Sequence, residues 1–144
     1  NLTYDIWKSL GLKEVSPRQL SPLVLAYIGD SIFDLVVKTM IVTKGNTQVN
    51  KMNRVASSIV KAESQSKMIG YLEDKLTEEE ESVYKRGRNA KSYTSAKNAS
   101  ISDYRRATGF EALMGYLYMS GRYERMCELI KDALEYLESE RNSK

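Results

Sequence analysis

Hydrophobic residues recur at steps of three and four along most of the chain, a spacing that predicts α-helices. The first such segment is Thr3–Leu10. A second begins at Ser21 and Pro22, which supply a capping hydroxyl and a proline for the first helical turn. We expect this helix to run to about Lys44 and to stop at Gly45, because glycine often terminates a helix.

The helical spacing continues through the middle of the chain. The segment Thr47–Leu72 carries apolar residues at three- and four-residue steps, and we expect a break near Gly70. Thr77 and Glu80 have the spacing of a capping box, which predicts the start of another helix. That helix is expected to fade near Gly87.

The last third of the chain predicts a loop and two helices. Residues 89–99 are polar and lack periodicity, which is typical of a loop. Ser102–Ser120 and Tyr123–Ser139 follow as helices separated by Gly121. The final helix is amphipathic, and its apolar face consists of Met126, Leu129, Ile130, Ala133, Leu134 and Leu137. Because no segment shows strand alternation, we expect one all-α domain over residues 1–144.

Two predicted helices are apolar nearly all round, yet each has an acidic residue at its middle. Asp30 lies within Leu23–Phe33, and Glu111 lies within Ala107–Tyr118. Ionised carboxylates are rarely buried without a partner, because desolvation is costly. Small residues accompany both acids, among them Gly29 beside Asp30, and they let two helices approach closely. A crossing there would bring the two carboxylates to one site.

Two adjacent carboxylates repel each other unless one is protonated or a cation lies between them. Mg²⁺ is the natural cation for a site made of oxygen ligands. The spacing alone leaves an alternative open, in which each acid caps a helix or pairs with an internal Arg or Lys. Asp34, one turn after Asp30, is interpreted as such a structural acid, with a supporting role at the site left open.

Composition narrows the chemistry further. The chain has 144 residues and no histidine, which excludes Ser-His-Asp and Cys-His nucleophilic sites and histidine-rich zinc sites. Carboxylates without imidazole or clustered thiolates favour Mg²⁺ or Mn²⁺. The single cysteine, Cys127, rules out an intrachain disulfide and favours a cytoplasmic location. We expect Cys127 to lie in the core and Tyr27 to serve core or interface packing.

Basic residues are concentrated ahead of the helix that carries Glu111. The net charge is only +3, but no acidic residue occurs between Ser82 and Ser102. Cationic side chains in such a stretch bind nucleic acid by neutralising phosphates. The candidate RNA-binding residues are Lys85, Arg86, Arg88, Asn89, Lys91, Lys97, Asn98 and Arg105. The alternative is a solvated basic loop that balances the acidic run Glu78–Glu81.

These motifs together resemble a known family. Leu25–Asp34, with the sequence LAYIGDSIFD, resembles the signature helix of ribonuclease III, and Ala107–Gly115, with ATGFEALMG, resembles its second acidic helix. Arg86–Lys91 and the pair Lys97-Asn98 resemble the basic loop of the compact Mini-III group. The resemblance covers essentially the whole chain and implies a single all-helical catalytic domain without a double-stranded-RNA-binding domain.

The resemblance implies roles for particular residues. In the family the two acids coordinate the catalytic metal, which assigns the catalytic and metal-binding roles to Asp30 and Glu111, with Mg²⁺ as the cofactor and Mn²⁺ as a substitute. The larger enzymes carry two further acids, at positions held here by Ala26 and Thr108. These departures are similar to the Mini-III pattern and leave the number of metal ions open.

The resemblance also implies partners and products. The family is homodimeric, with the signature helices at the dimer interface, and cuts double-stranded RNA to 5′-phosphate and 3′-hydroxyl ends. Its natural substrate is precursor 23S ribosomal RNA in bacteria; the need for a ribosomal-protein helper stays open, and no membrane is involved. The alternatives are a non-catalytic RNA- or ribosome-binding module and a helical interaction protein that binds no RNA.

Overall fold

The computed structural model describes residues 1–91 and 100–143, and this part of the chain is helical without strands, as predicted. Two short 3₁₀ turns occur at Pro17–Gln19 and Glu73–Lys75. The α-helices of the described part are α1 (Leu2–Ser9), α2 (Pro22–Lys44), α3 (Val49–Val60), α4 (Ala62–Leu72), α5 (Glu78–Asn89), α6 (Ile101–Met119) and α7 (Tyr123–Asn142).

The predicted capping signals act as expected. Ser21 Oγ accepts a hydrogen bond from the Val24 amide at 3.3 Å, and Gly45 follows the last residue of α2. At the start of α5, the Thr77 hydroxyl and the Glu80 carboxylate satisfy each other's amides, which confirms the capping box. α5 extends beyond the predicted end near Gly87, so the expectation that Asn89 belongs to a loop is wrong.

The break in the long Thr47–Leu72 segment falls at Lys61 rather than near Gly70. Lys61 has an extended backbone (φ −65°, ψ 155°) and separates α3 from α4. Gly70 stays inside α4, where the Arg106 side chain occupies the space a Cβ would need. Gly70 therefore does not end the helix, and the break at Lys61 arises from contacts that the local sequence does not reveal.

α6 is the central helix of the fold. It packs against α2, α4, α5 and α7 and is buried almost continuously from Ala107 to Tyr118. Glycines permit the close crossing of α5 and α6: a Cβ on Gly87 would lie 2.7 Å from the Ala112 Cβ, and one on Gly109 would lie 2.7 Å from the Tyr84 carbonyl oxygen. The all-round apolar character of α6 is thereby explained within one chain.

α2 differs from α6, because only one of its faces is covered. Leu25, Phe33 and Val37 are fully buried, whereas Tyr27 is 80% exposed and Leu35 is 52% exposed. Tyr27 is thus not a core residue in the single chain, which leaves interface packing as its expected role. The expectation that Cys127 lies in the core is wrong: its side chain is exposed on α7, one position away from the buried Met126.

None of the helices in residues 1–91 and 100–143 combines the length and the apolar character that crossing a membrane requires.

The predicted apolar face of α7 is confirmed, with Met126, Leu129 and Ala133 buried against the rest of the core. Lys97 and Asn98, two of the predicted RNA-binding residues, lie outside the described residues.

Candidate active site

The two acidic helices cross at a pair of glycines. A Cβ on Gly29 of α2 would overlap the carbonyl oxygen of Glu111, and a Cβ on Gly115 of α6 would overlap the carbonyl oxygen of Leu25. The backbones are therefore in direct contact where Asp30 and Glu111 occur. The expected crossing exists, and the small residues noted beside each acid are the reason for it.

The crossing brings the two carboxyl groups within hydrogen-bonding reach of each other. Asp30 lies on the exposed side of α2, whereas Glu111 is enclosed between the helices. Burial, the neighbouring charge of Asp30 and a hydrogen bond to Asp30 together raise the pKa of Glu111 from 4.5 to about 8. Such a shift is typical of two acids that share one site without a cation.

Gln65 of α4 completes the surroundings of Glu111. Its side-chain Nε2 donates to Glu111 Oε2 at 3.3 Å, which favours the ionised form and partly offsets the rise in the pKa of Glu111. Sequence reasoning did not single out this residue. One signal was available: Gln65 shares the helical stripe of Met68, Ile69 and Leu72, and an amide on a buried stripe is unusual.

No cation neutralises the two acids from within the described part of the chain. Residues 1–91 and 100–143 contain no ion pair from Arg or Lys to Asp30 or to Glu111. Asp34 instead pairs with Lys38 at 3.0 Å, as expected of a structural acid. Among the described residues, the alternative in which Asp30 and Glu111 each pair with an internal Arg or Lys therefore does not hold, and the Asp34–Lys38 pair lies at the surface.

The donor set fits a hard divalent cation. The two carboxylates offer the oxygen ligands that Mg²⁺ prefers, whereas Gln65 presents its N–H, not its oxygen, to Glu111. Burial and the neighbouring Asp30 raise the pKa of Glu111, and a cation bound there would favour the ionised form. Ala26 is buried, and the Thr108 hydroxyl donates to the Tyr104 carbonyl at 3.0 Å. No group of three or more metal-binding acids, thiols or imidazoles occurs in the described residues.

The predicted RNA-binding residues that the structure describes lie around the end of α5 and the start of α6. Lys85, Arg86 and Asn89 are exposed on the last turns of α5, and Lys91 follows the helix. Arg105 is exposed on the first turns of α6. The basic stretch therefore begins on a helix rather than in a loop, and α6 connects it directly to Glu111.

The basic residues are not equally available to a ligand. Lys85 pairs with Glu81 at 2.5 Å, so the alternative of local charge balance holds for this lysine. The Arg88 guanidinium stacks over the Tyr84 ring at 5.6 Å and bonds to Asn89. Arg86 and Lys91 have no ion-pair partner among residues 1–91 and 100–143, which leaves their charges open to an anion.

Comparisons with known proteins agree with this architecture. Residues 23–122 match the family model described as Ribonuclease III domain. A Mini-ribonuclease 3 of Clostridium tetani is 50% identical over 87% of this chain and 84% of its own length. A Mini-ribonuclease 3 of Brevibacillus brevis is 46% identical over 86% of this chain and 92% of its own length.

A solved structure shares the fold. The X-ray crystal structure of protein FN1578 from Fusobacterium nucleatum superposes with a TM-score of 0.74 at 26% identity, covering 82% of this chain and 94% of that one. The span that matches the Ribonuclease III domain model, residues 23–122, contains all of α2 except its first residue, the whole of α6 and the crossing between them. The chain belongs to the ribonuclease III family.

Proposed function

We propose that this protein is an endoribonuclease that hydrolyses double-stranded RNA with a divalent cation held by Asp30 and Glu111. The observation that carries the proposal is the meeting of two carboxyl groups at the α2–α6 crossing with no protein cation between them in the described residues. The Mini-ribonuclease 3 names of relatives with 46–50% identity support the reaction class.

Each acid has a distinct part in the proposed site. Glu111 is enclosed and accepts a hydrogen bond from Gln65, so its carboxylate has a defined position. Asp30 is exposed on α2, on the side from which a phosphodiester would approach. When bound, Mg²⁺ would neutralise developing negative charge on the phosphate and activate the attacking water, and Mn²⁺ would substitute for it. Both acids must be ionised to hold the cation.

The basic residues around the end of α5 are proposed to bind the RNA backbone. Duplex RNA is recognised by shape and by phosphate and 2′-hydroxyl contacts, which suits exposed Arg, Lys and Asn side chains. Arg86, Asn89, Lys91 and Arg105 are the described candidates with the most accessible side chains, and Lys85 contributes once released from Glu81. Arg88, Lys97 and Asn98 remain predictions for the same surface.

The outer face of α2 is proposed to bind a second copy of the chain. Val24, Tyr27 and Leu35 are exposed there, next to Asp30, although α2 is one of the most apolar segments of the sequence. A second α2 packed on this face would bury the apolar residues. Two sites would then lie in one particle, as required to cut both strands of a duplex.

The proposed natural substrate is precursor large-subunit (23S) ribosomal RNA in the bacterial cytoplasm, with 5′-phosphate and 3′-hydroxyl products. The relatives' designation as Mini-ribonuclease 3 supports a catalytic domain of this compact kind spanning residues 1–144. A ribosomal-protein helper is a further partner to be tested by adding ribosomal proteins to the cleavage reaction.

The decisive experiment is cleavage of an end-labelled RNA duplex by the wild-type protein in Mg²⁺ and in excess EDTA, beside Glu111→Gln. We expect metal-dependent cutting by the wild type and none by the variant. Glu138→Gln is the matched control, because Glu138 is exposed on α7, away from the crossing, and its loss should leave cutting unchanged.

The same assay separates the proposal from a binding module. The enzymatic function would be contradicted if the folded wild-type protein bound duplex RNA at low salt but cleaved neither the duplex nor a precursor ribosomal RNA in Mg²⁺ or Mn²⁺. Full cutting by Glu111→Gln would instead remove Glu111 from the site while keeping the nuclease.

A further inference from the structure

Gln65 is a buried amide directly beside the proposed catalytic carboxylate. Its side chain is 1% exposed, and its Nε2 donates to the Val60 carbonyl at 2.7 Å and to Glu111 Oε2 at 3.3 Å. These two acceptors determine which end of the amide faces Glu111, because turning it over would place Oε1 against two other acceptor oxygens.

The break between α3 and α4 places this amide. The last carbonyls of a helix have no partner within the helix, and here side chains from α4 and α7 supply donors instead. Ser64 Oγ donates to the Ser58 carbonyl at 2.6 Å, as does Arg141 Nη2 at 2.6 Å, while Gln65 takes the Val60 carbonyl. The break thus fixes Gln65 from one side and directs its second N–H to Glu111.

The amide oxygen shows that packing does not account for this residue. Gln65 Oε1 is buried and has no hydrogen-bond partner within residues 1–91 and 100–143. A buried acceptor without a partner is destabilising. A methionine of similar length would fill the space without that cost, so the useful group at position 65 is the amide donor, which bonds to the Val60 carbonyl and to Glu111.

We propose that Gln65 is a positioning residue that holds the Glu111 carboxylate in the orientation that binds the divalent cation, an inference that rests on the proposed function. A hydrogen bond to a carboxylate oxygen is charge-assisted and directional, and it restricts rotation of the carboxylate. Groups that orient metal ligands in this way typically change metal affinity about 10–100-fold when they are removed.

The test measures metal binding without RNA and without catalysis. Mn²⁺ is titrated by calorimetry into the metal-free wild type, Gln65→Met, which keeps the volume and removes the donor, and Gln65→Asn, whose shorter amide cannot reach both acceptors. We expect both variants to bind Mn²⁺ roughly tenfold or more weakly than the wild type. The half-saturating Mg²⁺ concentration in duplex cleavage should rise equally, with the KM for RNA unchanged.

Thr3→Val is the matched control. It also removes a buried hydrogen bond to a backbone carbonyl, from Thr3 Oγ1 to the Tyr118 oxygen at 2.8 Å, but on α1 and without contact to Glu111. If Gln65 acted only through stability, Thr3→Val and Gln65→Met would change Mn²⁺ affinity alike. We expect the control to bind Mn²⁺ like the wild type.

The outcomes distinguish this inference from the proposed function. If folded Gln65→Met binds Mn²⁺ as tightly as the wild type while Glu111→Gln binds none, the positioning role of Gln65 is wrong. The proposed metal site at Glu111 then still stands. If circular dichroism shows that Gln65→Met is unfolded, Gln65→Asn is judged by the same criterion. A wild-type protein that binds no Mn²⁺ would overturn both proposals.

Discussion

Glu80 and Glu111 are both glutamates enclosed by helices, but their surroundings shift their pKa values in opposite directions. Glu80 at the start of α5 receives two hydrogen bonds of 2.8 Å from Arg125 of α7, and this guanidinium lowers the pKa of Glu80. Glu111 is buried and meets Asp30 instead of a cation, and together burial and this neighbouring acid raise its pKa to about 8. An acid that serves stability has its cation within the chain; an acid without one points to a ligand from outside.

The helices that carry the catalytic candidates differ in a second way. α2 and α6 have nearly the same apolar pattern, yet α6 is buried by its own chain, while the outer face of α2 is open. The same pattern therefore describes a core helix in one case and a proposed interface in the other. The following predictions test both contrasts.

The largest effect is expected for Asp30→Asn. Removing this charge leaves the proposed cation with Glu111 alone, so the cleavage rate should fall by about 10²–10³-fold or more while duplex binding persists. Asp34→Asn, one turn along the same helix, is the control, since its surface pair with Lys38 contributes little. Comparable losses of cleavage in both variants would contradict a special role for Asp30.

The double variant Tyr27→Lys/Leu35→Lys should separate the proposed dimer. Both side chains are exposed in the single chain, so folding is retained, while two charges would have to be buried in the interface. We expect self-association to weaken by about 100-fold or more, measured by analytical ultracentrifugation. The control Leu10→Lys changes a residue that is also exposed but lies outside α2, and it should leave self-association unchanged. A wild-type protein that stays monomeric would contradict the proposed interface.

Glu80→Gln should destabilise the protein without entering the chemistry. Loss of the charge leaves Arg125 with weaker partners, and the free energy of unfolding should fall by about 1–3 kcal/mol in urea at pH 7. Glu128→Gln, which removes the more exposed partner of Arg125, should cost less than about 1 kcal/mol. If Glu80→Gln lowered the cleavage rate per folded molecule, the claim that Glu80 contributes only to stability would be wrong.

The two acids should also give opposite dependences of stability on pH. The pKa of Glu80 is lowered on folding, so its contribution is present above about 4.5 and is lost as the pH falls through the folded-state value. The pKa of Glu111 is raised on folding from 4.5 to about 8, so between these pH values the folded protein keeps a proton on Glu111 that the unfolded chain releases. The free energy of unfolding of the metal-free protein therefore falls as the pH rises from 4.5 to about 8.

The variant Glu111→Gln isolates the contribution of Glu111 to the pH dependence of stability. Relative to the wild type, the metal-free variant should gain thermal stability between pH 5 and pH 8.5, by on the order of 5 °C, because an amide has no charge to bury. Saturating Mg²⁺ should remove the advantage by stabilising the wild type alone. An unchanged difference in melting temperature across this pH range would show that Glu111 is already ionised without metal.

Sequence reasoning succeeded where local chemistry decides the outcome. The helix starts at Ser21 and Thr77 depend on side chains three residues from the amides they cap, so spacing alone predicts them. The small residues beside each acid suggested that α2 and α6 could cross, and the contacts at Gly29 and Gly115 show that they do. The roles of Asp30 and Glu111 remain predictions that the proposed assays test.

The failures share one physical cause, which is contact between residues distant in sequence. At the break at Lys61, Arg141 of α7 donates a hydrogen bond to the Ser58 carbonyl near the end of α3. Gly70 stays within α4, with the Arg106 side chain of α6 beside it. No local pattern encodes these arrangements.

By itself, the sequence determined the helical class, most helix ends, the two acids set in apolar segments and the absence of histidine, because these follow from residue type and spacing. Only the tertiary structure decided that Glu111 lies against Asp30 and Gln65, that Lys85 is already paired, and that one face of α2 is open. Burial and charge at a site are sums over neighbours from several helices, and those neighbours are known only once the helices are packed.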